Sequence, residues 1–224
     1  MLLALIAATA NSEYEVPMKK AIPPKMDPVP TLPVVTHRTF MDIEMDGTPL
    51  GRIVFGLFGE ELPKATENFV ALSNCDRGAA KVTGKDLCYR GTKIHRVIPN
   101  FAFQGGDFTH GDGTGGESIF GQKFEDESFA VKHNRKYLLS MSNEGKKNTN
   151  GSQWFVNTVK TQWLDGKNVA FGMVLEGLDV ITEIEKVGTH IGKPKADIVI
   201  TNSGSLPLEP EDKTPRLVSE RLKK

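Results

Sequence analysis

The stretch HRVIPNFAFQGGDF, residues 95–108, reads as strand, Pro-Asn turn, strand, and it sets one arginine and one glutamine among aliphatic and aromatic residues. If the connecting loop holds three residues, Pro99, Asn100 and Phe101, then Arg96 lies opposite Gln104 and both side chains point to one face. A two-residue loop would set Arg96 against Phe103 instead. The first register is favoured because it lets the Gln104 amide orient the guanidinium. From spacing alone, an ordinary solvated strand arginine is the blander account of Arg96.

Outward from that pair, the chain alternates short strand patterns with turns. TFMDIEM sets Phe40, Asp42 and Glu44 against Met41, Ile43 and Met45, and after the turn DGTPLG comes RIVFGLF, the pattern of a β-hairpin. LPKATENFVALS predicts a helix over 62–73, with Pro63 in its first turn and Ala65, Phe69 and Leu72 on one face. Strand-like runs follow near 93–98, 102–108, 136–142, 153–158 and 168–174. A second helix is predicted over 177–187, where Val180, Ile181, Ile184 and Val187 share a face, and ADIVITNSG from 196 supplies a closing strand. Many short strands with two helices predict a mainly β protein, a closed antiparallel barrel, because closure removes unpaired edges.

The bulk numbers bound the rest. A chain of 224 residues, 38% hydrophobic and 25% charged, suits one compact domain with tails. Lys+Arg and Asp+Glu both total 28, so no general attraction to nucleic acid or anionic membrane is implied. Residues 1–10 open with an apolar run, and Ala8-Thr9-Ala10 resembles a signal peptidase site. Secretory entry, to the endoplasmic reticulum lumen or beyond, is the expectation. The run is too short to span a bilayer, and a frayed terminus or a presequence for another organelle is the competing reading, as is a cytoplasmic location. Residues 11–36 carry six of the 13 prolines and read as an extended arm outside the fold. The remainder, 37–206, is the expected domain, and 207–224 a polar tail.

Several apparent motifs fail their own structural conditions. GDGTGG, with Gly111, Gly113 and Gly116, matches a dinucleotide fingerprint, but ESIFGQKFEDESF after it gives no amphipathic helix, so it reads as a glycine-rich loop. The five histidines, His37, His95, His110, His133 and His190, are scattered without an HExxH pair, which predicts no metal site. His95 reads as a core histidine in a strand. Cys75 and Cys88 bracket a short segment; they either close a loop in an oxidising lumen or stand as two unpaired thiols.

HRVIPNFAFQGGDFTHGDGTGGESIFG, LSMSNEGKKNTNGSQWFVNT and TQWLDGKNVAFG, taken in order, resemble the signature blocks of the cyclophilin-type peptidyl-prolyl cis-trans isomerases. The resemblance runs from about Thr39 to Leu206 and includes Glu67-Asn68-Phe69 of the first helix. It implies an eight-stranded antiparallel barrel with a helix at each end, an activity that rotates X-Pro bonds in client proteins without a cofactor, and a groove for cyclosporin-like cyclic peptides. It also implies roles: Arg96 as donor to the proline nitrogen, Gln104 as its orienting partner, and Asn143 as a holder of the substrate backbone. Phe101, Phe155 and Leu164 become the apolar proline pocket, where residue type alone would read them as core, and Trp163 lines the groove edge. A working monomer is expected.

Departures from the family pattern are equally specific. Ala102 stands where methionine is usual and removes apolar contact with substrate. Asn168 replaces a frequent histidine, Ser142 takes an alanine position, Trp154 a phenylalanine position, and Glu144 to Lys147 form a longer turn. Residues 75–92 resemble the extended loop of divergent-loop members. Altered activity and weaker cyclosporin affinity are expected. A proline-gripping module without turnover is the second reading, and a hollow carrier barrel the third, disfavoured by the bulk of the strand residues.

Overall fold

The computed structural model describes residues 32–213; the signal-peptide expectation, most of the proline-rich arm and the end of the tail lie outside the described residues. Eight antiparallel strands form one sheet: β1 (His37–Met45), β2 (Thr48–Leu57), β3 (Arg96–Ile98), β4 (Ala102–Gly105), β5 (Leu138–Met141), β6 (Trp154–Asn157), β7 (Ala170–Glu176) and β8 (Ile198–Leu206). Helix α1 (Pro63–Asn74) packs against β1, β7 and β8, and α2 (Leu178–Lys186) against β2 and β3. The strand order is β3-β4-β6-β5-β7-β2-β1-β8.

Local chemistry accounts for the element ends. The β1–β2 turn is only Asp46-Gly47, both with positive φ (49° and 78°), so β2 starts at Thr48 and the longer turn expected over DGTPLG does not form. Helix α1 has no side-chain cap on Leu62; instead the Lys64 and Ala65 N–H groups donate to the two oxygens of Glu127, each at 2.7 Å. A carboxylate from a distant loop thereby satisfies orphan donors at the positive end of the helix dipole. The predicted apolar faces hold: Ala65, Phe69 and Leu72 are buried on α1, and Val180, Ile181 and Ile184 on α2.

The core is aromatic. Trp154 lies edge-on to Phe55, Phe69, Tyr89 and Phe103 with ring centroids 6.0–6.4 Å apart. The departure to tryptophan at this position therefore sits wholly in the buried core.

The closed barrel expected from the strand pattern needs correction. The sheet curls into a half-barrel whose edge strands, β3 and β8, share no ladder. The reason is competition for β3. Val97 N–H donates to Gly192 O at 2.8 Å and Val97 O accepts from Thr189 N–H at 3.1 Å, so the loop 189–192 takes the groups a neighbouring strand would need. Across the gap, Gly91 N–H donates to Ile200 O, Ile200 N–H to Thr92 O, and Ile94 N–H to Ile198 O, at 2.7–3.0 Å. Irregular chain thus covers the edges that a ladder would have closed.

Both flanks join the fold further than the sequence pattern suggests. Leu32 and Val35 are buried in the core, and Thr36 N–H donates to Leu57 O, so the last residues of the expected arm are part of the domain. At the other end, the buried Arg38 pairs with Glu176, Glu209 and Asp212, which docks the first part of the tail, including the short 3-10 turn Pro210–Lys213. Cys75 and Cys88 form a disulfide with Cα atoms 4.4 Å apart. The same loop is held again by Glu117, whose carboxylate accepts from Val82 N–H, Thr83 N–H and the Thr83 hydroxyl. Replacing both Leu32 and Val35 by alanine in the full chain should lower Tm by about 5–10 °C, read by calorimetry. An unchanged midpoint would mean that this segment adds no packing.

Candidate active site

The register of β3 on β4 builds the site. Arg96 pairs with Gln104, Val97 with Phe103 and Ile98 with Ala102, across the three-residue turn with Asn100 at φ 57°. Alternation then sends Val97 and Phe103 into the core and Arg96 and Gln104 to the other face. Next door, β6 sets Phe155 opposite Gln104 and also opposite Ser140 of β5. A cleft of about 190 Å³ results, lined by Arg96, Phe101, Ala102, Gln104, Ser142, Asn143, Gly145, Phe155, Leu164 and Asn168. The structure brings nine of the ten sequence-predicted site residues to this one cleft. Trp163 is the exception: it stacks on Phe101 with ring centroids 6.1 Å apart and stays 57% exposed, outside the lining.

Hydrogen bonds fix which way the polar groups face. Gln153 donates from Nε2 to the carbonyls of Gly113 and Gly115, both at 2.8 Å, so its Oε1 must point the other way. That oxygen accepts from Gln104 Nε2 at 2.8 Å, and Ser142 Oγ accepts from the same nitrogen at 3.1 Å. Gln104 is left with its Oε1 towards Arg96, whose Nη1 donates to it at 3.3 Å. Gly192, with φ +91°, lies under the arginine stem; a Cβ there would sit 3.0 Å from Arg96 Cγ. Neither Gln153 nor Gly192 was singled out by the sequence pattern, although Gln153 stands inside one of the resembling blocks.

The glycine loop also finds its purpose here. Asp107 Oδ1 accepts from Thr109 N–H, Thr109 Oγ1 and His110 N–H, and Oδ2 from the N–H groups of Gly113 and Gly115, all at 2.9–3.1 Å. Burial works to raise the Asp107 pKa, but these donors together hold it well below the ordinary carboxylate range. Ligand atoms of Asp107, His110 and Asp112 lie within 4.8 Å of one another. Five donors already occupy the Asp107 carboxylate, however, and its work is to shape the loop that orients Gln153.

The apolar wall rests on a polar foundation. Phe155 stacks on His133 at 6.3 Å and 13°. The imidazole is fully buried, with Nδ1 3.0 Å from Asp165 Oδ1 and Nε2 2.9 Å from Ser140 Oγ. Asp165 directly follows the turn Gln162–Leu164, so one histidine ties the Leu164 wall to the Phe155 floor. Asn143 is pinned at both ends: Nδ2 donates to Lys167 O at 2.7 Å, and Oδ1 accepts from Gly145 N–H at 3.0 Å. These two bonds fix the direction of its side chain. Asn168 donates to Met141 O at 3.0 Å, a structural bond at the back of the cleft.

The family model described as cyclophilin type peptidyl-prolyl cis-trans isomerase/CLD matches residues 40–205. The chain belongs to that family. It is a peptidyl-prolyl cis-trans isomerase, and its substrates are proline-containing peptides.

Burial lowers the pKa of His133 against the opposing pull of Asp165, and burial likewise lowers that of His95. Both rings are therefore neutral in the folded protein at neutral pH, whereas unfolding frees them to protonate near the ordinary 6.5. Below that pH the unfolded chain binds more protons, so stability falls as pH drops towards the depressed values. Tm should be lower at about pH 5.5 than at about pH 7.5, and His133→Gln should show a smaller decline. An equal decline in the variant would contradict this assignment.

Proposed function

We propose that Arg96 is the group that stabilises the twisted X-Pro bond, with Gln104 as its orienting partner and the Phe101, Ala102, Phe155 and Leu164 surface as the grip on the proline ring. Amide resonance opposes rotation with a barrier on the order of 20 kcal/mol, and no nucleophile is needed to cross it. As the bond twists, the proline nitrogen regains its lone pair and becomes a hydrogen-bond acceptor. A donor aimed at that nitrogen is useful only once resonance is lost, so it lowers the barrier by differential binding. Arginine suits the task because it stays protonated and offers a planar fork. The ring is held in the slot while the main chain of Asn143 binds the flanking backbone and Trp163 guards the edge beside Phe101.

The observation that carries this reading is the shared lining: Arg96 borders the same cleft as the four apolar residues. A chymotrypsin-coupled assay on a proline tetrapeptide should give a rate well above the uncatalysed one; equality would defeat it. Gln104→Leu should lower kcat/KM by about tenfold, through loss of one orienting hydrogen bond of about 1 kcal/mol and the freedom it returns to Arg96.

Two further expectations follow from the same cleft and loop. Ala102 offers less apolar surface than a methionine would, which supports weak affinity for cyclosporin-like peptides. Ala102→Met should tighten that affinity by about fivefold to thirtyfold, measured by calorimetry, and an unchanged Kd would contradict the assignment. The Cys75–Cys88 disulfide supports residence in an oxidising compartment, and we assign the protein to the secretory pathway, where it assists client folding.

A further inference from the structure

Beyond the proline slot, a larger groove of about 980 Å³ opens beside Arg96. Its walls come from residues 93–96, the glycine loop at 111–113 and the segment 191–198. Arg96, Gln104, Ser142 and Asn143 line both spaces, so the slot and the groove form one trough with Arg96 at the junction. A peptide held at the slot has this groove as its continuation.

The groove is electrostatically lopsided in a protein whose net charge is zero. Lys93, Arg96, Lys193 and Lys195 line it against Asp112 and Asp197. Asp197 is spent on Lys93 at 2.7 Å, and Asp112 accepts from the N–H and hydroxyl of Thr114. Lys193 and Lys195 are exposed and have no carboxylate partner among the described residues, and neither has Arg96. His95 adds no charge at neutral pH, since burial keeps its imidazole neutral. Ile191, 87% exposed, places a bare aliphatic side chain in the same lining. Unpaired cations beside an exposed apolar contact suit carboxylate side chains carried on aliphatic stems.

We propose that this groove is an extended subsite for acidic client segments, taking Asp or Glu side chains a few residues from the proline held at Arg96. The proposal rests on the isomerase reading of the slot and deepens it: it names the class of X-Pro sequence the protein prefers. Because the contacts are solvent-exposed ion pairs, they act through encounter and binding rather than through the twisted state, and salt weakens them. The preference therefore sits in KM.

The test uses the full-length protein and three proline peptides of equal length that carry Glu, Gln or Lys in the positions flanking the slot, on either side in turn. Exchange NMR reads kcat and KM for each at low and high salt. The Glu peptide should show a KM about three- to tenfold below that of the Gln peptide, on one side only, with the Lys peptide weakest and the differences reduced in salt. In the double variant Lys193→Glu, Lys195→Glu the Glu-to-Gln ratio should fall to one or reverse, with an unchanged Tm confirming the fold. Equal KM values across the three peptides in the wild-type protein would overturn the subsite while leaving the isomerase reading intact. An undiminished Glu preference in the double variant would overturn it too. Absence of turnover on all three peptides would instead defeat the isomerase reading on which the proposal rests.

Discussion

A side-chain amide can face two ways, and this site depends on Gln104 facing one of them. Were its NH2 group turned to Arg96, two donors would oppose each other and the guanidinium would have no fixed place. Gln153 prevents the flip because both of its own donors are committed to the carbonyls of Gly113 and Gly115. Those carbonyls are fixed in turn because Asp107 gathers the N–H groups of the same two glycines. A buried carboxylate thus sets the direction of an exposed arginine through one loop and two amides. The free arginine side chain carries about 2 kcal/mol of rotamer entropy, and the Gly192 surface and Gln104 remove part of that freedom before substrate arrives.

Magnitudes show why the donor cannot act alone. An acceleration of about 10⁵-fold corresponds to about 7 kcal/mol, while a hydrogen bond to a charged group contributes about 1.5–3 kcal/mol. On the proposed reading, the apolar slot and the main chain of Asn143 supply the remainder by holding the ring while the flanking carbonyl turns. This division explains the care given to the slot's foundation. The Phe155 ring lies nearly parallel to a buried histidine that is itself held in place by bonds to Asp165 and Ser140. On the proposed reading an exposed arginine suffices, because a donor to the proline nitrogen is called on only where resonance fails.

Much of this was legible in the residues, and for physical reasons. The β3–β4 register was one of two that the turn allowed, favoured because only it sets Arg96 against Gln104, and the strands pair in that way. The helices were legible from Pro63 and from the spacing of Ala65, Phe69 and Leu72. What stayed hidden depends on contacts between segments distant in sequence. Glu127 caps α1 from 62 residues away, and His133 reaches Asp165 over 32. No local pattern encodes either. The glycine-rich loop was read correctly as a loop, yet its service to Gln153 is invisible without the fold. The closed barrel was the natural inference from eight strand-like runs, and it failed because β3 spends its outer hydrogen bonds on the loop 189–192. Leu32 and Val35 escaped notice because the prolines around them outweighed two apolar residues.

The central claim is that the Arg96 guanidinium acts on the twisted bond rather than on peptide binding. Exchange NMR on a peptide saturating the Arg96→Ala protein separates these directly. The account predicts on-enzyme cis-trans interconversion about 10²- to 10³-fold slower than in the wild-type protein, with Kd changed by no more than a few-fold. Interconversion at the wild-type rate on the bound peptide would contradict it.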